Sequence, residues 1–485
     1  MSAERQQNVS YQLDLFSGPV EEPCPGATGT GGTHAGAREE PQTLAAARQG
    51  RALATDLMER VADLGNLHRA MKAVRRNKGA GGVDGMTVNG LPDWFAANWK
   101  ALAESLLTGS YRPSPVLGKQ IPKPGGGMRQ LGIPTVVDRL VQQAILQVLE
   151  PRIDPTFSES SFGFRPGRSA HQALLQAQTY VGAEKRTIVV DLDLEKFFDR
   201  VNHDILMARL ARRIGDKRLL RIIRRFLEAG MMQGGVCVRR EEGTPQGGPL
   251  SPLLANVLLD DLDKELERRG HRFCRYADDC NIYVRSQVAG ERVMASLTSF
   301  LEEKLKLRVN REKSAVAPVG TRKFLGYRLL AGGRLTVAPK SWERFKERVR
   351  AITRRNRGVA VERVISELNS FTTGWVMYFR LAECKKRLEG MDEWVRHKLR
   401  CYRWKQLKRF RTRVRYLTAR GVDPDTARAT SSSGKGHWRL SNSPALNIAM
   451  NNRRLSKTGL RSLTKRYLLL RGNETAGCDN ARPVV

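Results

Sequence analysis

The chain has 485 residues, with 84 Lys and Arg against 49 Asp and Glu and a formal net charge of +35. An ordinary globular enzyme has no need of that excess; it predicts a polyanionic partner, nucleic acid above all. The apolar runs fall short of the ~20 residues of a membrane span, no basic-then-apolar leader opens the chain, and the seven cysteines show no CxxC spacing. Membrane attachment, a secreted disulfide framework and a zinc ribbon are therefore disfavoured, and a reducing cytoplasm is expected.

Residues 1–50 are Gly/Pro/Thr-rich (EEPCPGATGTGGTHAGAREEPQ) and poor in large apolar residues, which predicts a disordered tail. From 54 to 108 the pattern is helical, with Leu57, Val61 and Leu64 at helical spacing and a Gly-rich interruption, RRNKGAGGVDGMT. From 111 to 330 short strands alternate with amphipathic helices. IPKPGGGMRQLGIP (121–134) reads as a hairpin with Lys123 and Arg129 on its arms. TIVVDLDLEKFF (187–198) reads as a strand, with Ile188, Val190, Leu192 and Leu194 on one face and Asp191 and Asp193 on the other. In GTPQGGPLSP the glycines allow close backbone approach, and Ser251 and Pro252 read as a helix N-cap and first turn. Leu250, Leu253, Leu254, Val257, Leu258 and Leu262 then form a buried stripe.

RYADDCNIYV (275–284) reads as a hairpin with Asp278 and Asp279 at its tip. Beside the 187–198 strand it would bring Asp193 close to Asp278. Converging carboxylates repel one another, and magnesium, a hard cation that prefers oxygen ligands, resolves the repulsion. Two such ions ~3.5–4 Å apart can clamp the attacking and leaving oxygens of a phosphoryl transfer. From 340 to 420 helices dominate, with 24 Lys/Arg against 8 Asp/Glu. Within it, residues 395–415 carry ten Lys/Arg and no acid, with Trp394, Tyr402, Trp404 and Phe410 close by or interleaved, a pattern suited to phosphate contact and base stacking. SSSGKGHWRL (431–440) reads as a flexible connection before a last small basic unit.

YADD between apolar strands resembles the catalytic box of reverse transcriptases. SFGFRPGRSAHQAL (161–174), GTPQGGPLSPLLANVLLDDLD (243–263), LKLRVNREKS (305–314) and KFLGYRLL (323–330) stand in the order of that family, over residues 60 to 420. FGFRPGRS and the YADD form are similar to the bacterial group II intron-encoded reverse transcriptase/maturase. The resemblance implies an α+β right-hand polymerase with fingers, an antiparallel-sheet palm and a helical thumb, and a basic α-helical C-terminal region. It implies fingers and palm over 51–335, thumb and maturase domain over 336–425, and a small basic DNA-binding extension over 426–485.

The same resemblance implies that Asp193, Asp278 and Asp279 are catalytic and hold two Mg2+ ions (or Mn2+), with Leu194 in the ligand set. Asp193 is preferred to Asp191 because it stands five residues before an aromatic, Phe198, as in the family. Phe198 resembles the steric gate against ribonucleotides, Gln246 a residue lying against the nascent base pair, and Lys123 and Arg129 the finger cations on the triphosphate. Lys313 resembles a lysine that protonates pyrophosphate, with a plain surface lysine as the alternative. Arg396, Lys398, Arg400, Arg403, Lys405, Lys408, Arg409 and Arg411 are implied RNA contacts. The implied partners are group II intron RNA, target DNA, a DNA primer and dNTPs, with no membrane, in the bacterial cytoplasm or at its nucleoid. The implied function is copying intron RNA into DNA during retrohoming and helping that RNA splice, without an HNH endonuclease domain. A domesticated reverse transcriptase in defence or diversification, and an RNA-binding splicing factor without polymerase activity, are the alternatives.

Overall fold

The computed structural model describes residues 55–478 apart from 123–127, 234–235, 239, 241 and 245–246. These divide into two units, 55–322 with 331–333, and 323–330 with 334–478. The KFLGYRLL block therefore belongs to the second unit. Among the described residues no helix is long and apolar enough to cross a membrane.

The first unit opens on helices Leu57–Ala62, Leu64–Arg76 and Leu91–Leu107. Leu57 and Val61 are buried as their spacing predicts, but Leu64 is 39% exposed. The reason is a helix break: the Asp63 carboxylate accepts from Asn66 N at 2.8 Å and caps a new helix, so the periodicity restarts. Strands β1 (Val116–Pro122) and β2 (Met128–Ile133) pair antiparallel as the predicted hairpin. The sheet continues through β4 (Met231–Gln233), parallel to β1, and β5 (Val236–Val238).

The second sheet of this unit, where the palm is expected, is ordered β6-β7-β3-β8, from β3 (Ile188–Leu192), β6 (Arg272–Tyr276), β7 (Asp279–Val284) and β8 (Ala315–Pro318). Every ladder in it is antiparallel, in agreement with the α+β expectation. β3 is central, and its apolar run suits that place: Val189, Val190 and Leu192 are all within 1% of full burial. The 187–198 stretch is not one strand. β3 stops at Leu192, Lys196 takes a left-handed conformation and Phe197–Asp199 forms a 3-10 turn. Helix Ser251–Arg268 buries the predicted stripe. Its N-cap is Leu250 rather than Ser251, whose buried hydroxyl bonds the Thr244 hydroxyl at 3.1 Å instead.

In the second unit β9 (Tyr327–Leu329) and β10 (Leu335–Val337) form a hairpin. Helices Pro339–Ile352, Val361–Tyr378 and Lys385–Gln406 follow, around the packed rings of Trp342, Phe345, Trp375 and Phe379. The 431–440 stretch is partly helical rather than a plain connection, with Pro424–Ser432 and His437–Leu440 reaching into it. Leu440, Leu446 and Ala449 share one core with Trp404 and Leu417. Helix Leu463–Cys478 is tethered at its start by Asp392 of helix Lys385–Gln406, whose carboxylate accepts from Leu463 N (2.9 Å), Thr464 N (3.1 Å) and the Ser462 hydroxyl (2.7 Å).

Candidate active site and nucleic-acid surface

The β3–β7 register runs from Ile188↔Val284 to Leu192↔Cys280. The next residues along these strands are Asp193 and Asp279, so antiparallel pairing alone brings them to the same edge of the sheet. Asp278 is the second residue of the two-residue turn between Tyr276 and Asp279, which face each other across β6 and β7. Asp193 and Asp278 are half-buried and Asp279 is exposed. The backbone of Asp193 is held at both ends. Its N–H donates to the Ser314 hydroxyl at 3.0 Å, and its carbonyl accepts from Asn310 N at 2.9 Å. Lys313 Nζ lies 3.7 Å from Asp193 Oδ1, with its side chain 66% exposed. Leu194 has its side chain in the core and bridges Val309, so it can offer a ligand only from its main chain.

Asp191, two residues before Asp193, is engaged elsewhere: Arg322 Nη2 lies 2.6 Å and Nε 2.8 Å from its Oδ2. That separates two aspartates which strand periodicity puts on the same face. Among the described residues no group of three or more His, Cys, Asp or Glu side chains is near enough to form a ready-made metal cage. The donor set nevertheless suits magnesium. It offers oxygen donors at neighbouring strand ends, and Mg2+ is held by one or two carboxylates plus substrate phosphates rather than by an all-protein cage.

The turn that carries Asp278 is braced by Arg275, which sequence reasoning passed over. Arg275 is 0% exposed. Its guanidinium forks onto Asp263 (2.7 and 2.5 Å) and donates to Asn256 Oδ1 (2.9 Å), the Ser161 hydroxyl (2.7 Å) and the Ala277 carbonyl (2.9 Å). Asp263 holds Arg275 firmly in its cationic form, against the opposing effect of burial. The fixed Ala277 carbonyl accompanies an uncommon backbone: Ala277 has φ +58°, which costs a non-glycine residue roughly 1–2 kcal/mol. The SFGFRPG segment closes on the same turn. Ser161 bridges Arg275 in parallel, and a Cβ on Gly163 would stand 2.2 Å from Ala277 N. Only glycine lets that backbone lie there. Arg165 of this block is structural, bonded to Asp154 at 2.7 Å and to the carbonyls of Ser158 and Ser161.

Phe197 is 2% exposed and belongs to the core, while Phe198 is half-buried at its edge. The rings meet edge-on at 5.2 Å. The GTPQGG segment is anchored here. Thr244 N donates to the Phe198 carbonyl at 2.7 Å, and Gly243 (φ +89°) approaches so closely that a Cβ would lie 3.0 Å from that oxygen. The Gly243 carbonyl in turn lies 2.7 Å from His203 Nε2. Burial, assisted by Arg224, lowers the pKa of His203, and toward a carbonyl oxygen its Nε2 can only donate. Lys123 and Gln246 lie outside the described residues, and the Arg129 backbone is in β2 opposite Ile121.

The basic run of the second unit is two helices, Lys385–Gln406 and Phe410–Thr418. Tyr402 and Trp404, predicted to offer faces to unpaired bases, are each 0% exposed and form core instead. The signal was present in the spacing of Val395, Leu399 and Tyr402, which is that of a buried helical stripe. Arg400 is buried too, with Nε on the Ser441 carbonyl at 3.0 Å. Arg403 lies over the Tyr416 ring and bonds Gln406, and Arg396 and Lys398 are half-buried. Lys405, Lys408, Arg409 and Arg411 face solvent, as does Phe410. Half of the predicted contact residues are therefore open to a polyanion, and the rest are at least partly engaged in the fold.

Comparison with known proteins accords with this arrangement. Residues 121–329 match the family described as reverse transcriptase (RNA-dependent DNA polymerase), and residues 342–421 match the group II intron, maturase-specific domain. The chain is 34% identical to protein YkfC of Escherichia coli K12 over 54% of its own length and 80% of that protein's. It is 40% identical to the group II intron-encoded protein LtrA of Lactococcus lactis subsp. cremoris over 34% of its length, which spans 27% of LtrA. It is 36% identical to an uncharacterized 91 kDa protein in the cob intron of Schizosaccharomyces pombe, over 36% of this chain and 21% of that one.

Proposed function

Since this chain belongs to the family of group II intron-encoded reverse transcriptases with a maturase domain, we propose that it is an RNA-directed DNA polymerase that also binds its intron's RNA to assist splicing. The family brings RNA as a partner and divalent-metal chemistry as the means. The finer reading is that the substrates are dNTPs, a DNA primer with a free 3′-hydroxyl and a target DNA, and that the metal is magnesium. The observation that carries it is the placing of Asp193, Asp278 and Asp279 at one edge of the palm sheet, with Lys313 beside Asp193.

In this reading Asp193 and Asp278 would hold the metal and Asp279 would assist, and a magnesium ion held there would supply charge stabilisation to the phosphoryl transfer. The protein's own part is positioning. The Ser314 and Asn310 contacts hold Asp193 in place, and Arg275 holds the turn of Asp278. Phe198, half-buried at the edge of the core, is read as the ring that would meet a 2′-hydroxyl beneath the sugar. Lys313 carries a proton within reach of the site and delivers it to departing pyrophosphate. The exposed cations Lys405, Lys408, Arg409 and Arg411 grip intron RNA, whose own chemistry performs the splicing.

The test is primer extension on an RNA template with magnesium. Asp278→Ala is expected to abolish synthesis and to leave RNA affinity nearly unchanged. Extension by that variant at the wild-type rate would remove the site from this edge of the sheet.

A further inference from the structure

Tyr402 and Trp404 are buried, yet an exposed aromatic does stand on the basic unit. Trp438, in helix His437–Leu440, is 42% exposed. Its ring stacks on His397 of helix Lys385–Gln406, with centroids 3.6 Å apart and planes 25° from parallel. His397 Nε2 lies 2.9 Å from the Trp438 carbonyl, so the same residue holds both backbone and ring. Lys398 Nζ stands 4.7 Å from the Trp438 centroid and 5.5 Å from that of Trp394, which Arg350 also approaches at 5.8 Å. The surroundings are cationic. Burial first, and then Arg400 and Lys398, lower the pKa of His397; burial, and then Lys405, Arg413 and Arg355, lower that of His437. Facing a carbonyl oxygen, the His397 Nε2 must carry a proton and donate it.

Packed on His397 and approached by Lys398, the Trp438 side chain still stands 42% exposed among cations. An indole that is locked in place loses little entropy when something stacks on it, and a nucleobase brings a π-face and a phosphate together. We propose that Trp438, fixed by His397 and flanked by Lys398, is a stacking platform for an unpaired base of bound RNA. RNA is favoured over DNA because His397 and Lys398 lie within the stretch matching the maturase-specific domain. The proposal rests on the reading of the chain as an RNA-binding maturase and gives that activity a site outside the exposed run 405–411.

The test uses the full chain with an unstructured oligo(rA) probe and its oligo(dA) counterpart. Trp438→Leu keeps apolar bulk but removes the π-face, and is expected to weaken oligo(rA) binding roughly 5- to 100-fold. The salt slope should be unchanged, since stacking releases no counterions. Trp438→Phe should retain affinity to within roughly threefold of wild type. Hydroxyl-radical footprinting of the wild-type chain gives an answer that no folding defect can mimic: oligo(rA) must protect Trp438. The platform is overturned if Trp438→Leu binds like wild type or Phe loses as much as Leu. It is also overturned if Trp438 is unprotected, or if only oligo(dA) binding suffers, which would make this a DNA surface. A wild-type chain that binds oligo(rA) through Trp438 but extends no primer would sink the polymerase reading and leave the platform standing.

Discussion

Replacing Arg275 by methionine separates folding from positioning. Both side chains of the Arg275–Asp263 pair are 0% exposed. Removing one partner leaves a buried, uncompensated carboxylate, a loss of about 3–5 kcal/mol. For a unit of this size that corresponds to a fall in melting temperature of roughly 5–9 °C. Replacing both partners with apolar residues of similar volume often restores stability, so Arg275→Met with Asp263→Leu should regain much of the loss, short of wild type by the buried bonds to Asn256, Ser161 and Ala277. It still lacks the bonds from Arg275 to the Ala277 carbonyl and the Ser161 hydroxyl. The turn carrying Asp278 then loses that brace on its left-handed Ala277, and a misplacement of ~1 Å can cost on the order of 100-fold in rate. The assays are thermal melting and single-nucleotide primer extension. If the double variant regains stability and extends at the wild-type rate, Arg275 is only a folding residue and the positioning argument fails.

Phe198→Ala should raise rNTP use relative to dNTP in primer extension; unchanged discrimination would take Phe198 out of the gate. Replacing Lys405, Lys408, Arg409 and Arg411 with alanine should lower the salt slope of RNA binding by up to about 3, at roughly 0.7 per phosphate contact, while extension at saturating template survives. An unchanged slope would show that intron RNA binds elsewhere. The pKa of His203 is lowered in the folded chain, chiefly by burial. Below the unfolded value near 6.5 the unfolded state therefore binds more protons, so this contribution is complete above that pH and is lost as pH falls toward the folded value. Melting temperature should drop from pH 7 to pH 5, and His203→Gln should flatten that drop; an identical profile would exonerate His203.

The carboxylate edge of the sheet was legible because its signals are local. The alternation through Asp193, the YADD turn and the order of the blocks can be read without knowing what packs where. Strand periodicity could not separate Asp191 from Asp193, since the separation depends on Arg322, 131 residues away. Nor could it expose Arg275, because a charged residue reads as surface until Asp263, on another element, is known to face it. The 395–415 run shows the opposite failure. Composition announced nucleic acid correctly, yet it could not say which aromatics face water. That depended on the core formed with Leu440 and Leu446, from a segment that reads as a connection. Leu64 failed for a smaller reason, the restart of the helix at Asp63.

The palm register carries a consequence for how such a sequence can change over time. Asp193 and Asp279 owe their meeting to a count of residues, one step past Leu192↔Cys280. Substituting a residue within β3 or β7 alters packing but preserves that count. Inserting or deleting one shifts the count, and because side chains alternate faces, the carboxylate turns toward the apolar side of the sheet. This stretch of the gene should therefore drift freely among Val, Ile and Leu codons while tolerating almost no change of length. An active copy and a decayed one would then be told apart by spacing before they are told apart by chemistry.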